Sequence, residues 1–353
     1  MGVDYANLRV GCGKFIYGNG CIKELTSEII RLGGRPLIIG GPSSVDKICG
    51  RFDDEWKNRG IDAYVCKHVG ACSRGWANTY AEMAAEHNCT VIIGVGGGKC
   101  IDLAKAAATI AKMDIINVPT SVATCVASSA VCIMYNDDGT PDGSIGMLKE
   151  VDVVIADTDI IATAPRKLLA SGILDSIAKL PEVVHNVHIE TYSDCPIEKY
   201  ICVINSKGIY EFLMGSAKGA YDKGIDCGYL TDVILVNLLH TSVVSGFSSG
   251  VNQLAIAHGF YDFMRRYFPS ESQAHLHGEI VAVGILSQLR FNKSDYNDVL
   301  SLMKYMNMPI DAASVGFIKT EENIALLCDY LVNATGLKPQ DRERVMDAIS
   351  VIL

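Results

Sequence analysis

Residues 91–102 read VIIGVGGGKCID, and this stretch decides the fold prediction. Its first half is a short apolar run typical of a buried strand, and its second half opens a segment with helical spacing. Gly96, Gly97 and Gly98 stand between the two, where a backbone without side chains can approach a phosphate closely. The free N–H groups and positive dipole end of the following helix favour an anion at this place.

The glycines match neither the spaced glycines of the dinucleotide fingerprint nor the Walker A motif, which needs Ser or Thr after its Lys. Here Cys100 follows Lys99. A tight turn that binds no ligand is the alternative, but three consecutive glycines exceed what a turn requires. We therefore expect a phosphate-binding turn between a strand and a helix.

Strand and helix alternate outward from this stretch over residues 35–159. The predicted strands are residues 36–40, 61–66, 90–95, 114–118, 131–135 and 151–156. Helices are expected to start at Ser43, Ser73 and Lys99. This alternation predicts a largely parallel sheet covered by helices on both faces. After Pro165 the apolar spacing is helical nearly to the C-terminus, which places a domain boundary near residue 160.

Composition excludes several classes of protein. The 353 residues favour two domains, and the net charge of -9 argues against a nucleic-acid partner. Thirteen cysteines without a Cys-x-x-Cys pair indicate reduced, buried thiols. No export signal is visible in residues 1–5, and the apolar residues 233–247 are short for a membrane span and predict a buried helix. We expect a cytoplasmic protein without a membrane partner.

Two further patterns suggest chemistry. Residues 118–124 leave a predicted strand and are dense in hydroxyls, which suits them to hold a nucleotide. Asp175, His258 and His277 lie in or at the start of apolar helical segments, where ionisable side chains are costly unless they are paired or metallated. Together they could hold Zn²⁺ or Fe²⁺ through three ligands. His185 and His188, spaced i, i+3, are a rival pair of ligands.

Several of these motifs together resemble one family, the iron-containing alcohol dehydrogenases, in the branch of the glycerol and hydroxycarboxylate dehydrogenases. The resemblance runs from about residue 17 to residue 289. Its best segments are Gly96–Lys99 with Asp102 and Lys105, residues 118–120, residues 157–175 and residues 277–279. It implies the fold of dehydroquinate synthase: residues 1–160 form an α/β dinucleotide-binding domain with a parallel sheet, and residues 161–353 an all-α metal and substrate domain.

The resemblance also implies site residues. Asp175, His258 and His277 would be the metal ligands, and the metal and substrate would lie between the domains. The pyrophosphate of NAD or NADP would be held by Gly96, Gly97, Gly98, Lys99 and Cys100. The nicotinamide half of the cofactor would be lined by Thr120, Thr124, Ser129, Val131 and Tyr135.

The chain departs from the family pattern at three places. Relatives carry a second histidine three or four residues after the ligand on the helix of His258, so either His258 coordinates or Leu254 occupies the ligand position. Cys125 stands where glycerol dehydrogenases have an aspartate that contacts glycerol. No carboxylate follows the first strand in residues 40–43, which makes NADP as plausible as NAD.

The predicted function is hydride transfer between a nicotinamide and a small polyol or a 2-hydroxy or 2-oxo acid, with a bound metal. The alternatives are a glycerol-1-phosphate dehydrogenase, a cyclase or lyase like dehydroquinate synthase, and a metal-free relative without catalysis. The expected partners are a small-molecule substrate and further copies of the chain in a homo-oligomer.

Overall fold

The computed structural model describes residues 9–247 and 254–353, and its contacts group them into two compact units. The sheet unit comprises Arg9–Ala164 and Leu230–Ser242. The helical unit comprises Pro165–Tyr229 and the described part of Val243–Leu353. Residues 1–5, which carried the prediction of no export signal, lie outside the described residues.

The strands all belong to the sheet unit. In chain order they are β1 (Cys12–Gly18), β2 (Pro36–Gly40), β3 (Tyr64–Lys67), β4 (Val91–Gly96), β5 (Asp114–Pro119), β6 (Val131–Tyr135), β7 (Pro141–Gly146) and β8 (Val151–Asp157). Six of them form one parallel sheet in the order β1-β8-β5-β4-β2-β3. β6 and β7 form a separate antiparallel hairpin. The predicted parallel sheet is confirmed.

The helices lie between these strands and then fill the rest of the described chain. They are α1 (Leu25–Arg31), α2 (Pro42–Cys49), α3 (Asp53–Arg59), α4 (Arg74–Glu86), α5 (Gly98–Ala111), α6 (Thr158–Ile161), α7 (Arg166–Ile177), α8 (Lys179–Val183), α9 (Ile197–Lys223), α10 (Leu230–Leu235), α11 (Thr241–Phe247), α12 (Ile256–Tyr267), α13 (Pro269–Ser272), α14 (His277–Phe291), α15 (Asn297–Tyr305), α16 (Glu321–Ala334) and α17 (Arg342–Ile349). The described residues after β8 contain no strand, as predicted.

Both faces of the sheet are covered. On one face, Ile38 and Ile93 belong to a buried apolar cluster with residues of α1, α2 and α3. On the other face, α5 packs so closely that a Cβ on Gly94 would lie 2.9 Å from the Cβ of Ala104. The central strands are continuous apolar runs because neither face is exposed to water.

Leu230–Phe247 is one helical run in which Val236–His240 forms a π-turn. It has a mean hydropathy of 1.4 and passes a membrane-span test of length and composition. Ser128 donates a hydrogen bond to the Leu238 carbonyl, and its hydroxyl lies 2.8 Å from that of Ser242. These contacts join the run to the loop after β5, in agreement with the grouping of residues 230–242 with the sheet unit, although the sequence had placed them in the C-terminal domain.

Candidate functional site

Two strand-to-helix turns meet at the carboxyl edge of the sheet. β2 and β4 are neighbours, yet β3 pairs with β2 on one side and β5 pairs with β4 on the other. Open parallel sheets bind ligands in the crevice at such a reversal of direction. Gly41 follows β2 and Gly97 follows β4, so the glycine stretch lies where this rule expects a ligand.

The three glycines occupy distinct positions in their turn. Gly96 ends β4 with φ +138°, a conformation that L side chains rarely adopt. Gly97 is the N-cap of α5, and Gly98 is its first residue. The Gly97 carbonyl accepts from the N–H of Cys100 at 3.1 Å, which leaves the N–H groups of Gly98 and Lys99 outside the helical hydrogen bonds. These N–H groups are suited to an anion.

Packing does not account for all of the glycines. At Gly94 a Cβ would lie 2.9 Å from both Ala104 Cβ and Asn117 Oδ1, so only glycine fits. At Gly97 and Gly98 a Cβ would lie 3.5 and 3.4 Å from its nearest neighbours, which are ordinary contacts. The bare backbone at these two positions therefore supports the close approach of a ligand.

The hydroxyl-rich loop after β5 lies beside the glycines. The Thr120 N–H donates to the Gly96 carbonyl at 3.0 Å, and the Thr120 hydroxyl lies 3.3 Å from that of Ser44. Thr124 Oγ1 is one of the atoms nearest to a Cβ built on Gly98. The structure thus brings together the two segments found in the sequence and adds Ser44, which the sequence analysis missed.

Lys105 fixes the segment that carries two of the other predicted cofactor residues. Its fully buried amino group donates to the carbonyls of Val126 at 2.8 Å, Ser129 at 3.1 Å and Val131 at 2.6 Å. It also lies 2.9 Å from Asp102 Oδ1. Burial raises the pKa of Asp102, and Lys105 offsets part of that rise.

The remaining predicted cofactor residues have other surroundings. Tyr135 ends β6, and its N–H donates to the Cys72 carbonyl at 2.9 Å. Lys99 is exposed in the first turn of α5. The Cys100 thiol lies near Gly41, on the turn that follows β2.

The helical unit brings three predicted metal ligands together. Asp175 lies on α7, His258 on α12, and His277 is the first residue of α14. Asp175 Oδ1 lies 3.2 Å from His258 Nε2 and 3.5 Å from His277 Nε2, and the three ligand atoms lie within 4.8 Å of one another. Asp175 Oδ1 is buried, and no donor among the described residues meets it with the geometry of a hydrogen bond.

Small residues allow the three helices to meet. A Cβ on Gly278 would lie 2.1 Å from the Ser171 carbonyl oxygen, so glycine after His277 lets α14 contact α7. A Cβ on Gly284 would lie 2.6 Å from the carbonyl oxygen of Ala257 on α12. This close packing sets the distances between the imidazoles and the carboxylate.

Glu182 on α8 holds His258 and was missed by the sequence analysis. Its Oε1 accepts from the His258 backbone N–H at 2.9 Å, and its Oε2 lies 2.7 Å from His258 Nδ1. Because a carboxylate can only accept, Nδ1 carries the proton, and Nε2 faces Asp175. In the sequence, Glu182 is visible as a carboxylate seven positions after Asp175, but the sequence does not show that its partner is His258.

Aromatic contacts hold His277 in place. The Tyr261 ring meets the His277 ring edge-on at 4.2 Å. The guanidinium of Arg265 lies 5.3 Å from the Tyr261 ring and donates to the His275 carbonyl at 2.7 Å. Tyr261 stands three residues after His258, where the resemblance leads us to expect a second histidine.

The charges at the site are strongly coupled. Burial alone would raise the pKa of Asp175, but Lys179 and the two imidazoles bring it well below its usual range. Burial would likewise lower the pKa of His258, but Glu182 and Asp175 raise it to about 9. The pKa of His277 is lowered, mainly by burial. The site thus stabilises positive charge next to Asp175.

The alternative metal-ligand candidates, His185, His188 and Leu254, are not part of this cluster. His185 stacks on Phe291 at 5.0 Å with its Nδ1 3.2 Å from Gln288, and His188 is 86% exposed beside Glu190. Leu254 precedes α12 and is 38% exposed. The cluster with Asp175 contains His258 instead.

One carboxylate oxygen and two imidazole nitrogens are a donor set that suits a catalytic Zn²⁺ or Fe²⁺. The buried Asp175 oxygen, which no described donor meets with hydrogen-bond geometry, fits a cation at this point. A parallel sheet with a bare glycine turn at its reversal point and a helical unit with such a donor set are the features that the resemblance implies for its class, a dehydrogenase of the dehydroquinate synthase-like fold.

Comparisons with known proteins agree with this class. Residues 12–158 match the model of the family described as iron-containing alcohol dehydrogenase. A glycerol dehydrogenase from Pseudomonas putida is 26% identical over 311 residues, which cover 86% of this chain and 83% of the relative. Hydroxycarboxylate dehydrogenase A from Escherichia coli is 29% identical over 228 residues, 63% of this chain and 62% of the relative.

Among solved structures, a probable glycerol dehydrogenase from Sinorhizobium meliloti has the same fold, with a TM-score of 0.79, 23% identity and 98% of each chain covered. The predicted resemblance is confirmed: the chain is similar to glycerol dehydrogenases over most of its length, residues 12–158 match the model of the iron-containing alcohol dehydrogenases, and the chain is an enzyme of the alcohol and polyol dehydrogenase type.

Proposed function

We propose that this protein is a metal-dependent, NAD(P)-linked oxidoreductase that interconverts a small polyol or 2-hydroxy acid and the matching carbonyl compound. The observation that carries the proposal is the convergence of Asp175, His258 and His277 around a buried carboxylate oxygen that no donor among the described residues meets with the geometry of a hydrogen bond.

The metal would be Zn²⁺ or Fe²⁺, with Asp175, His258 and His277 as ligands. When bound, it would supply a positive charge that polarises the substrate oxygen. The three side chains would act as ligands and not as proton carriers, and Glu182, at His258 Nδ1, leaves Nε2 as the nitrogen available to the metal.

The cofactor would bind through the glycine turn, with Gly96, Gly97, Gly98, Lys99 and Cys100 at its pyrophosphate. When bound, the nicotinamide would accept or donate the hydride. Its half of the site would be formed by Thr120, Thr124, Ser129, Val131 and Tyr135, on a segment that Lys105 holds in shape. Because residues 40–43 contain no carboxylate, the turn after β2 does not repel a 2′-phosphate, and NADP is as suitable as NAD.

The substrate class follows from Cys125. This residue stands where the resemblance places a glycerol-contacting aspartate, which favours 2-oxo acids or other small carbonyl compounds over glycerol. We also propose a cytoplasmic homo-oligomer with neither a membrane nor a nucleic-acid partner.

A spectrophotometric screen tests the proposal. Protein stripped of metal by a chelator and reloaded with Zn²⁺ or Fe²⁺ is assayed for oxidation of NADH and NADPH with 2-oxo acids, dihydroxyacetone and dihydroxyacetone phosphate. We expect turnover with one acceptor class only after reloading. His277→Ala should lose both bound metal and turnover; if both stay unchanged, the metal has no part in the reaction.

A further inference from the structure

We propose that Glu182 is a positioning residue that sets the proton arrangement of His258 and thereby the metal affinity of the site. This inference rests on the proposed function, because it assumes that Asp175, His258 and His277 bind a metal. It assigns a role to a residue outside the ligand set, on a separate helix.

The geometry carries the assignment. Neutral imidazole has one N–H and one lone pair, and a metal requires the lone pair. Glu182 Oε2 lies 2.7 Å from His258 Nδ1, and since the carboxylate only accepts, the proton is fixed on Nδ1. Nε2, which lies 3.2 Å from Asp175 Oδ1, is then the nitrogen that gives up its proton and offers its lone pair when a metal binds. Partners of this kind orient metal ligands and raise their basicity.

Glu182 has a second contact with a separate consequence. Its Oε1 accepts from the backbone N–H of His258, the third residue of α12. The N-cap of α12 is Ala255, which has no side-chain acceptor, so Glu182 replaces the missing cap. A test must therefore separate support of the helix from orientation of the imidazole.

Glu182→Gln makes this separation possible. Glutamine keeps one acceptor and gains a donor, so it can satisfy the backbone N–H only by presenting its NH₂ group to Nδ1. That arrangement moves the imidazole proton to Nε2 and removes the lone pair from the metal site. We expect a Zn²⁺ dissociation constant about 10- to 100-fold higher than that of the wild type.

Ala255→Ser is the matched control variant. A serine at this N-cap can accept from the first turn of α12 and restore capping without contacting Nδ1. We expect the double variant Glu182→Gln, Ala255→Ser to recover thermal stability but not Zn²⁺ affinity. Glu182→Asp, which keeps the carboxylate with one methylene fewer, should bind Zn²⁺ with intermediate affinity.

The measurements are competition of Zn²⁺ with a chromophoric chelator, thermal unfolding, and ¹⁵N-histidine NMR of the Zn²⁺-loaded protein. The NMR spectra should show the Nδ1–H form of His258 in the wild type and its loss in Glu182→Gln. Zn²⁺ affinity of Glu182→Gln within twofold of the wild type, or full recovery of affinity by Ala255→Ser, would overturn the inference alone. Failure of the wild type to bind Zn²⁺ would overturn both the inference and the proposed function. If Glu182→Gln does not fold, the Zn²⁺ affinities of the double variant and of Glu182→Asp test the inference in its place.

Discussion

The glycine turn and the metal cluster are built in opposite ways. Gly96, Gly97 and Gly98 are consecutive and belong to a single strand-turn-helix segment. Asp175, His258 and His277 come from three helices that are brought together by close packing at Gly278 and Gly284. A local segment fixes the first site almost by itself, whereas the second depends on the packing of the whole helical unit.

The largest effect should come from Asp175→Asn. The substitution removes the negative charge beside two imidazoles, so we expect Zn²⁺ affinity to fall by more than the roughly 100-fold typical of losing an outer partner of a ligand. Zn²⁺ competition and metal content measure this loss. NADPH binding, followed by fluorescence, should change little, because the glycine turn is built independently; its loss in the same variant would contradict that independence.

Lys105→Met should have the largest effect on folding. It leaves the buried Asp102 without its cation, and breaking such a pair costs about 3–5 kcal/mol. Denaturant unfolding measures the change. The control is the double variant with Asp102→Asn, which leaves no unpaired charge and should be more stable than Lys105→Met; if the two are equally unstable, the ion pair is not the cause.

Two glycine substitutions compare ligand approach with packing. Gly97→Ala places a Cβ 3.5 Å from its nearest neighbour, so folding should tolerate it, while NADPH affinity falls about tenfold, or about 1.4 kcal/mol. Gly94→Ala places a Cβ 2.9 Å from α5 and should cost about 1–3 kcal/mol of folding free energy. Calorimetry measures the NADPH affinity of both variants, and denaturant unfolding measures their folding free energy. Equal losses of NADPH affinity in both variants would contradict the assignment of Gly97 to phosphate binding.

The smallest effect is expected for Leu254→Ala. This residue lies outside α12 and outside the cluster. Zn²⁺ affinity should therefore stay within about twofold of the wild type, which is well below the roughly 1.4 kcal/mol that corresponds to a tenfold change. His258→Ala in parallel should lose Zn²⁺ binding. The reverse result would show that the ligand position is that of Leu254.

Most strands of the sheet could be predicted because they are buried on both faces. The predicted residues 36–40 coincide with β2, in which every residue is buried, whereas residues 131–135 coincide with β6 of the hairpin, in which exposed and buried residues alternate. β1 was missed because it is an edge strand with a mixed sequence, CGKFIYG, and β7 because PDGSIG contains turn residues and pairs only with β6. Apolar patterning reports burial, so strands that are exposed give little signal.

The sequence by itself determined the strand-turn-helix character of residues 91–111, the helical nature of the chain after Pro165, and the identities of Asp175, His258 and His277 as candidates. These features follow from local spacing and backbone freedom. Only the tertiary structure decided that His258, and not Leu254, faces Asp175, that Glu182 holds its imidazole, and that Lys105 fixes the segment 126–131. Those contacts join residues far apart in the chain, and hydrogen-bond partners at such separations are set by how helices pack, which apolar spacing does not encode.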